Sequence, residues 1–392
     1  MNTPLRITVL TPLGEGGQGG IDRLMDSLRP ELGAQAGGPV VADFVTTRGF
    51  SLWVMPLAFA RALLVVLWRG LFGRHDVVHV NLASYGSTWR KLALVAVIRF
   101  TRTPYVIHLH GGLFDKFSTS RGPTLRRAIR WMFEGAARVI VLGSYWRGVI
   151  AGLAPAAAGR IEIVPNGSAP PASLPVREGA VTRVLFLGRL EPLKGVPELI
   201  EALGSLAGRP GWTAVLAGNG AVEETRAALA AHGLADRVSV PGWLDAAGTT
   251  AALASADLLV LPSRVENLPM AVIEGFAHAI PAVATAVGSV PDLVVPGETG
   301  WLVPIGDEQA LAVALGEAFA DPAGRRRLGA AAQRLHAERL TLAAFRQRLT
   351  GLWAAASQRG MMVTRVDRTS PGPSRPVATI MVASSRTEKA CE

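Results

Sequence analysis

Short, uninterrupted apolar runs recur along this chain of 392 residues, separated by stretches of helical character. Such runs are typical of parallel strands that helices cover on both faces. Repetition on this scale predicts a doubly wound α/β architecture, because each parallel strand needs a crossover helix. The runs cover residues 6–12, 40–46, 76–81, 104–110, 138–144 and 161–167 in the first half, and 183–190, 213–220, 238–244, 258–263 and 282–288 in the second.

The length of the chain exceeds what one core holds, which predicts two domains. Proline-rich residues 166–180 interrupt the alternation and show no periodicity, as expected of a linker. We predict a first α/β domain at 1–168, a linker at 169–180, a second α/β domain with closing helices at 181–359, and a flexible tail at 360–392.

Composition narrows the environment of the protein. The single cysteine, Cys391, excludes a disulfide framework or a cysteine metal cluster and suits a reducing compartment. The chain opens with a short polar segment and a strand instead of a secretion signal, so a cytoplasmic protein is expected.

The net charge of +10 is unevenly distributed. Residues 1–172 hold 19 Lys and Arg against 9 Asp and Glu, whereas residues 173–392 hold 21 of each. An anionic membrane surface or an anionic substrate explains this asymmetry, and an arginine-rich composition without a partner is the alternative. Nucleic acid is not expected as a partner, since the basic residues are not interleaved with aromatic residues and there is no zinc finger.

Residues 52–74 form a strongly apolar segment that contains Pro56 and Arg61. Its uninterrupted apolar run, residues 62–68, is too short to span a bilayer. A buried helix is the preferred interpretation. The alternative is an interfacial helix whose tryptophans and arginines lie among lipid headgroups.

The stretch VENLPMAVIE, residues 265–274, separates Glu266 from Glu274 by seven residues. It follows a predicted strand, so Glu266 belongs to a loop at the carboxyl edge of a sheet, where open α/β sheets bind ligands. Pro269 suits the start of the next helix, in which Glu274 lies. The two carboxylates cannot share one helical face, but they could contact separate parts of one long ligand. The helix N-terminus between them suits a phosphate. Two solvated ends of an ordinary helix are the alternative.

Upstream, GRLEPLKG at residues 188–195 also follows a strand. The turn at Gly188, with Arg189 and Lys194 beside it, forms a candidate clamp for a diphosphate, because arginine donates a planar fork and lysine a point charge. A surface loop with two solvated cations is the alternative.

The first half carries two further candidate segments. LTPLGEGGQGGIDRL, residues 10–24, places Gly16, Gly17, Gly19 and Gly20 between a strand and a helix, where a backbone can approach a ligand closely. VIHLHGG, residues 106–112, ends a strand at His110. For His79 and His108, a satisfied core histidine is the alternative to a role in a site. Asn81 and Ser144 are minor candidates at strand ends, and Asn166 with Gly167 suits a hinge.

In this order and at these spacings, the second-half motifs resemble those of the retaining glycosyltransferases called group 1, or family 4. That family has the hallmark of two glutamates with seven residues between them after "PS", here PSRVENLPMAVIE, and a GRLxxxKG motif, here GRLEPLKG. The resemblance implies the GT-B fold, in which two Rossmann-like domains face a cleft. It covers about 1–355 at the level of fold and is strong over 183–305.

The resemblance also implies roles for individual residues. Arg189 and Lys194 would contact the donor diphosphate, Glu274 the ribose, and Glu266 the transferred sugar. The amides of Asn267 and Leu268 would approach sugar and phosphate, although Pro269 removes one N–H that many relatives offer. In the first domain the glycine-rich loop would face donor phosphate, at Gly17, and acceptor, at Gly16, Gly19 and Gly20. His110 would contact acceptor or transition state, with Asn81 as a minor acceptor contact.

The function implied is transfer of a hexose from a nucleotide-diphosphate sugar to a lipid-linked or other saccharide acceptor, with retention and without a metal or other cofactor. A basic acceptor domain suits a lipid-linked intermediate of bacterial exopolysaccharide or lipopolysaccharide assembly, bound peripherally at the inner membrane face. A nucleotide-sugar epimerase, a glycan phosphorylase and a non-catalytic binding protein of the same fold are the alternatives.

Overall fold

The computed structural model describes residues 3–16, 20–33, 38–51, 53–174 and 181–369, with side chains up to residue 358. It contains two six-stranded sheets with parallel strand pairing. The strand orders are β2-β1-β3-β4-β5-β6 and β12-β11-β10-β7-β8-β9. In each sheet the strand order changes direction at one point, between β1 and β3 in the first and between β7 and β10 in the second. This switch point creates a crevice at the carboxyl ends of those strands. The predicted doubly wound architecture is confirmed.

The first domain alternates strands and helices in the order expected. Its strands are β1 (Leu5–Thr11), β2 (Val40–Thr46), β3 (Val77–Leu82), β4 (Tyr105–Leu109), β5 (Arg138–Val141) and β6 (Ile161–Ile163). Its helices are α1 (Gly20–Leu32), α2 (Met55–Leu71), α3 (Gly86–Phe100), α4 (Phe114–Thr119), α5 (Pro123–Glu134) and α6 (Ser144–Leu153), with a 3-10 turn at Pro155–Arg160.

The second domain repeats this plan. Its strands are β7 (Thr182–Leu187), β8 (Trp212–Ala217), β9 (Val238–Gly242), β10 (Leu258–Leu261), β11 (Ala282–Thr285) and β12 (Gly300–Val303). Its helices are α7 (Val196–Ser205), α8 (Val222–Ala231), α9 (Ala246–Ser255), α10 (Met270–Ala277), α11 (Glu308–Ala320) and α12 (Pro322–Leu335), with 3-10 turns at Pro192–Lys194 and Val290–Asp292. Of the twelve strands, β12 is the one that the apolar runs did not predict.

The last helix, α13 (Leu342–Thr369), crosses back to the first domain. Phe345, Leu349 and Trp353 are fully buried in the same apolar cluster as Val9 and Val106 of the first sheet. The sequence assigned this segment to the second domain, because periodicity shows that a helix has an apolar face but not which core receives it. The helix also continues past residue 360, where the sequence suggested that a tail begins, and residues 370–392 lie outside the described part.

The chain passes between the domains at two adjacent places. Ser168 leaves the first domain beside Thr341, with which it forms an isolated parallel bridge. The Ser168 amide donates to the carbonyl of Leu340 (3.0 Å), and the Leu342 amide donates to the carbonyl of Ser168 (3.1 Å). These hydrogen bonds join the two chain segments that cross between the domains.

The preferred sequence interpretation of α2, that it is a buried helix, is wrong. The buried residues of α2 are Ala62 and Val66, whereas Leu64 and Trp68 are at least half exposed. Helices cover a sheet face in one layer, and α2 packs against the sheet with a narrow stripe of side chains. The rest of the apolar surface of α2 faces outward. Within the described residues, no helix is long and apolar enough to cross a membrane.

Candidate active site

The loops that follow β1, β3, β4, β7 and β10 meet in the cleft between the two sheets. Two cavities lie there, of about 490 and 580 Å³. Both are lined by Gly20, Lys194, Glu266 and Met270, so they adjoin along this line. The first cavity extends into the first domain and the second into the second domain. Together they form an elongated cleft suited to an extended ligand.

Lys194 and Glu266 form an ion pair where the cavities meet. Lys194 Nζ lies 2.6 Å from Glu266 Oε1, and Ser263 Oγ donates to the same oxygen at 2.8 Å. The Glu266 side chain is 10% exposed and that of Lys194 is 25% exposed. An ion pair with this much burial, and with a further hydrogen bond on the carboxylate, holds both groups in fixed positions.

The backbone of the Glu266 loop packs between two glycines, one from each domain. A Cβ on Gly112 would lie 3.0 Å from the Glu266 carbonyl carbon, and a Cβ on Gly288, whose φ is 55°, would collide with the Glu266 carbonyl oxygen. Gly288 therefore requires glycine, whereas a Cβ on Gly112 would need the Glu266 loop to shift by a few tenths of an ångström. Asn267 Nδ2 also donates to the Leu109 carbonyl at 3.2 Å, across the cleft. The loop therefore packs directly against the end of β4.

Glu274 lies inside α10, and Pro269 precedes that helix as its N-cap. Burial raises the pKa of Glu274, and the nearby Arg23 guanidinium acts against this rise. Both side chains line the second cavity, away from the first. The two glutamates thus occupy separate parts of one cleft, as their spacing predicted. The expected contacts of Glu274 with ribose and of Glu266 with sugar stay predictions.

Gly188 and Arg189 line the second cavity together with Lys194. The Arg189 side chain is 61% exposed, and its Nε lies 3.0 Å from Glu191 Oε2. An exposed pair of this kind is weak, so the guanidinium can turn to an anion in the cavity. Asn267 and Leu268 are nearly buried, and both line the first cavity.

The glycine-rich loop after β1 is held by two aspartates of α1. The buried Asp22 carboxylate accepts hydrogen bonds from the amides of Leu13 and Gly14, and Asp26 accepts from that of Gly16 (2.9 Å). Gly20 begins α1 and lines both cavities. Gly17 and Gly19, also expected to meet ligand, lie outside the described residues.

His110 lines the first cavity, as predicted for a residue at the end of β4. Asn81 does not reach the cavity, because it is completely buried and its amide oxygen contacts the Nε2 atoms of His110 (2.9 Å) and His79 (3.2 Å). Asn81 is therefore not placed to contact an acceptor in the cavity directly, unlike the expectation from the sequence. His79 and His108 are both fully buried, but only His79 has hydrogen-bond partners, since neither ring nitrogen of His108 has one among the described residues.

Ser144 contributes to domain contact. Its backbone amide and its Oγ donate to the two carboxylate oxygens of Asp292, at 2.6 and 2.5 Å. Ser144 starts α6 of the first domain, so Asp292 of the second domain caps that helix across the cleft. Asn166 lines the first cavity.

Several lining residues escaped the sequence analysis: Arg23, Tyr85, Asn219, Trp243 and Thr249. Arg23 could have been found as a cation in the first turn of the helix after the glycine-rich loop. Tyr85, Asn219 and Trp243 lie on loops without a recognisable pattern, and Thr249 lies in α9. Among the described residues, no group of three or more His, Cys, Asp and Glu side chains could hold a metal ion.

Two six-stranded parallel sheets whose carboxyl edges face one cleft form the GT-B arrangement of glycosyltransferases. A family model for a "Glycosyl transferase 4-like domain" matches residues 5–167, and one for "Glycosyl transferases group 1" matches residues 177–335. The chain belongs to the group 1 glycosyltransferases and is a transferase enzyme. The predicted family and fold are confirmed.

Two relatives and one solved structure are similar to this chain. A 2-deoxystreptamine N-acetyl-D-glucosaminyltransferase from Streptomyces fradiae is 29% identical over 71% of this chain and 70% of its own. A GDP-mannose-dependent alpha-(1-6)-phosphatidylinositol monomannoside mannosyltransferase from Mycolicibacterium smegmatis is 32% identical over 67% of this chain and 72% of its own. The structure of HepE from Anabaena with UDP and glucose aligns with a TM-score of 0.69 at 19% identity, covering 90% of this chain and 100% of that one.

Proposed function

We propose that this enzyme moves a hexose from a nucleotide-diphosphate sugar to a lipid-linked saccharide, with retention and without a metal ion. The setting we propose is the cytoplasmic face of a bacterial membrane, in exopolysaccharide or lipopolysaccharide assembly. The observation that carries the proposal is an exposed apolar and cationic surface of the first domain that adjoins the catalytic cleft.

The cleft suits a sugar nucleotide. The second cavity combines cations at Arg189, Lys194 and Arg23 with a carboxylate at Glu274, as a diphosphate joined to a ribose requires. The first cavity, lined by His110 and Glu266, suits the sugar and the acceptor. The Anabaena protein of similar fold was solved with UDP and glucose, which agrees with a sugar-nucleotide site in this fold.

The charged side chains of the cleft suit the proposed transfer reaction. Departure of a nucleoside diphosphate builds negative charge on the leaving oxygen, and fixed cations lower that barrier. Lys194 and Arg189 would supply this charge, while the sugar develops positive character near the Glu266 carboxylate. Leaving and attacking oxygens on the same sugar face would give retention, with the leaving phosphate accepting the proton of the acceptor hydroxyl. The Asn267–Leu109 and Ser144–Asp292 contacts would keep water out of the closed cleft.

The apolar surface, which we call the α2–α3 face, is built from two neighbouring helices. The helices run in the same direction, since Met55 Sδ lies 3.8 Å from Arg90 Nη1 at one end, and at the other a Cβ on Gly70 would overlap Thr101. Exposed side chains recur at helical spacing along both. They are Trp53, Leu57, Leu64, Trp68, Leu71 and Phe72 from the α2 segment, with Trp89 and Phe100 from α3.

Charge on this face complements an anionic surface. Residues 44–114 contain eight Lys and Arg but a single acid, Asp76, although Lys91 is buried and Arg69 lies 3.2 Å from Asp43. Arg61, Arg74 and Arg102 are exposed, and the Arg74 guanidinium lies over the Trp68 ring, 5.5 Å from its centroid. Exposed tryptophans flanked by arginines are the side chains that favour a lipid headgroup region. The face therefore suits an anionic membrane better than a protein partner.

The α2–α3 face leads to the cleft. Ala83, Ser84 and Tyr85 line the first cavity and directly precede α3, and Trp89 lies one turn along that helix. An acceptor held in the membrane would thus reach the cavity next to His110. The mannosyltransferase relative, whose acceptor by name is a phosphatidylinositol monomannoside, supports a lipid acceptor.

Donor binding is tested by calorimetry with UDP-, GDP- and ADP-sugars, followed by radiolabel transfer to membrane lipid extracts. We expect one nucleotide series to bind and its sugar to enter the lipid fraction. Turnover of the donor without any acceptor would instead indicate an epimerase. Binding without turnover would indicate a non-catalytic protein, and failure of all donors to bind would contradict the proposal.

Membrane docking is tested by sedimentation with vesicles of phosphatidylglycerol and phosphatidylethanolamine, or of phosphatidylcholine alone. We expect salt-sensitive binding to the anionic vesicles and at least a tenfold loss for Leu64→Glu/Trp68→Glu, because charge on the apolar stripe opposes insertion. Val313→Glu is the matched control, since Val313 is 62% exposed on α11 of the second domain. Equal binding by both variants would contradict docking through the α2–α3 face.

A further inference from the structure

Asn81 is a fully buried amide whose orientation is fixed by its own hydrogen bonds. Its Nδ2 donates to the Leu10 carbonyl at 3.1 Å, so its Oδ1 points the other way. That oxygen lies 2.9 Å from His110 Nε2 and 3.2 Å from His79 Nε2. An amide oxygen can only accept, so both imidazoles must carry their proton on Nε2.

An independent contact supports this assignment at His79. Its other ring nitrogen, Nδ1, lies 3.1 Å from the indole Nε1 of Trp353, on the helix α13 that returns from the second domain. An indole N–H can only donate, so His79 Nδ1 accepts and must be unprotonated. His79 is thereby held as the Nε2–H tautomer from both sides. The two contacts together fix the orientation of the His79 ring.

The Asn81 oxygen also determines which ring nitrogen of His110 is unprotonated. Burial, and to a lesser extent His79, lowers the pKa of His110 to about 3, so the ring is neutral near pH 7. With its proton on Nε2 directed at Asn81, its Nδ1 carries a lone pair. The ring lines the first cavity, beside Gly111 and Gly112.

We infer that Asn81 is a positioning residue that sets the tautomer of His110, so that Nδ1 accepts a hydrogen bond from a hydroxyl of the sugar bound in the first cavity. The ligand part of this inference rests on the proposed function. An acceptor atom at this point favours a neutral, hydroxylated sugar over one with a carboxylate there, because two lone pairs would then face each other. Trp353 completes the arrangement by holding His79.

The tautomers can be measured without any substrate. Two-bond nitrogen–proton correlation spectra of the full-length protein labelled with 15N-histidine distinguish Nε2–H from Nδ1–H, and His110→Gln assigns the signal. We expect Nε2–H for His110 at pH 7, and a mixture of both tautomers in Asn81→Leu, which has no oxygen. Nδ1–H in the native protein, or an unchanged spectrum in Asn81→Leu, would overturn the inference even if the proposed function holds.

Kinetics then test the effect on transfer, with UDP-glucose or GDP-mannose, whichever is turned over. We expect Asn81→Leu to lower kcat by about 10- to 100-fold, since two buried imidazole N–H groups lose their acceptor, with the donor KM changed less. Trp353→Phe should lower kcat by a smaller factor of about 3 to 10, because it removes one neutral hydrogen bond. Trp146→Phe is its matched control, since Trp146 is equally buried and its Nε1 has no hydrogen-bond partner among the described residues. Equal losses in the two tryptophan variants would contradict the role of Trp353.

Discussion

Lys194 Nζ lies 2.6 Å from Glu266 Oε1 at the line where the two cavities of the cleft adjoin. The residues come from different loops of the second domain, one after β7 and one after β10. Under the proposed function, Lys194 would face the leaving phosphate and Glu266 the sugar as it becomes positive, and the ion pair would hold both charges in place. Such preorganisation lowers the cost of arranging charge during the reaction.

The first prediction concerns this pair. Glu266→Gln and Lys194→Met should each lower kcat by about 10²- to 10³-fold, because each removes charge complementary to the transition state. The double variant should lose much less than the product of the two, since the residues are coupled. Initial rates of glycosyl transfer measure this.

The Arg183–Asp257 ion pair supplies the control for that experiment. It has a similar separation of 3.0 Å but lies at the amino ends of β7 and β10, away from the cleft. Asp257→Asn should leave kcat within about twofold, as expected for an ion pair outside the reacting region. A comparable loss of activity in Asp257→Asn would indicate that the Glu266 and Lys194 effects come from general destabilisation.

The second prediction concerns the contact between Gly112 and the Glu266 loop. Gly112→Ala should lower kcat at least tenfold, because the added Cβ would push the loop and β4 apart. Gly152→Ala is the control, since a Cβ there meets nothing within 4 Å among the described residues, and α6 should be stabilised by up to about 1 kcal/mol. Full activity in Gly112→Ala would show that the cleft works in a more open form.

The third prediction is a loss of stability in acid. Burial lowers the pKa of His75 to about 4, below its unfolded value of 6.5. Between these values the unfolded chain binds a proton that the native state excludes. The free energy of unfolding therefore falls as pH decreases from 6.5 towards 4, by up to about 1.4 kcal/mol per pH unit for this group. Urea unfolding between pH 7 and 4.5 measures the slope, which His75→Gln should reduce.

His232 gives the opposite sign and serves as the comparison. The Ala228 carbonyl and Glu201 raise its pKa, so its stabilising effect is complete below pH 6.5 and is lost as pH rises through the raised pKa. His232→Gln should therefore leave the acid loss of stability in place. Equal acid slopes for His75→Gln and the native protein would contradict the assignment of that loss to His75.

The fourth prediction concerns α13. Leu349→Ala should lower the free energy of unfolding by about 2–5 kcal/mol, because the fully buried leucine fills the core of the first domain. Gln347→Ala, an exposed position on the same helix, should change it by less than about 0.5 kcal/mol. Proteolysis of the first domain should accelerate in Leu349→Ala alone. If cleavage began in the second domain, the assignment of α13 to the first core would be wrong.

Sequence and structure agree most closely where the signal is local. The strand before GRLEPLKG, the loop at Glu266 and the helix at Glu274 follow from apolar periodicity and turn chemistry within a few residues of each motif. Parallel strands align their carboxyl ends, so the meeting of these loops in a cleft also followed. The location of His110 at that edge was predictable for the same reason.

The sequence by itself determined the doubly wound fold, the two domains, the family and the motifs that line the cleft, since these depend on local patterns. Only the tertiary structure decided which core receives α13, which side of α2 faces outward, and that Asn81 contacts His110 instead of the cavity. Those outcomes depend on contacts between residues far apart in the chain, such as His79 with Trp353. Periodicity shows that a surface is apolar, but packing decides what covers it.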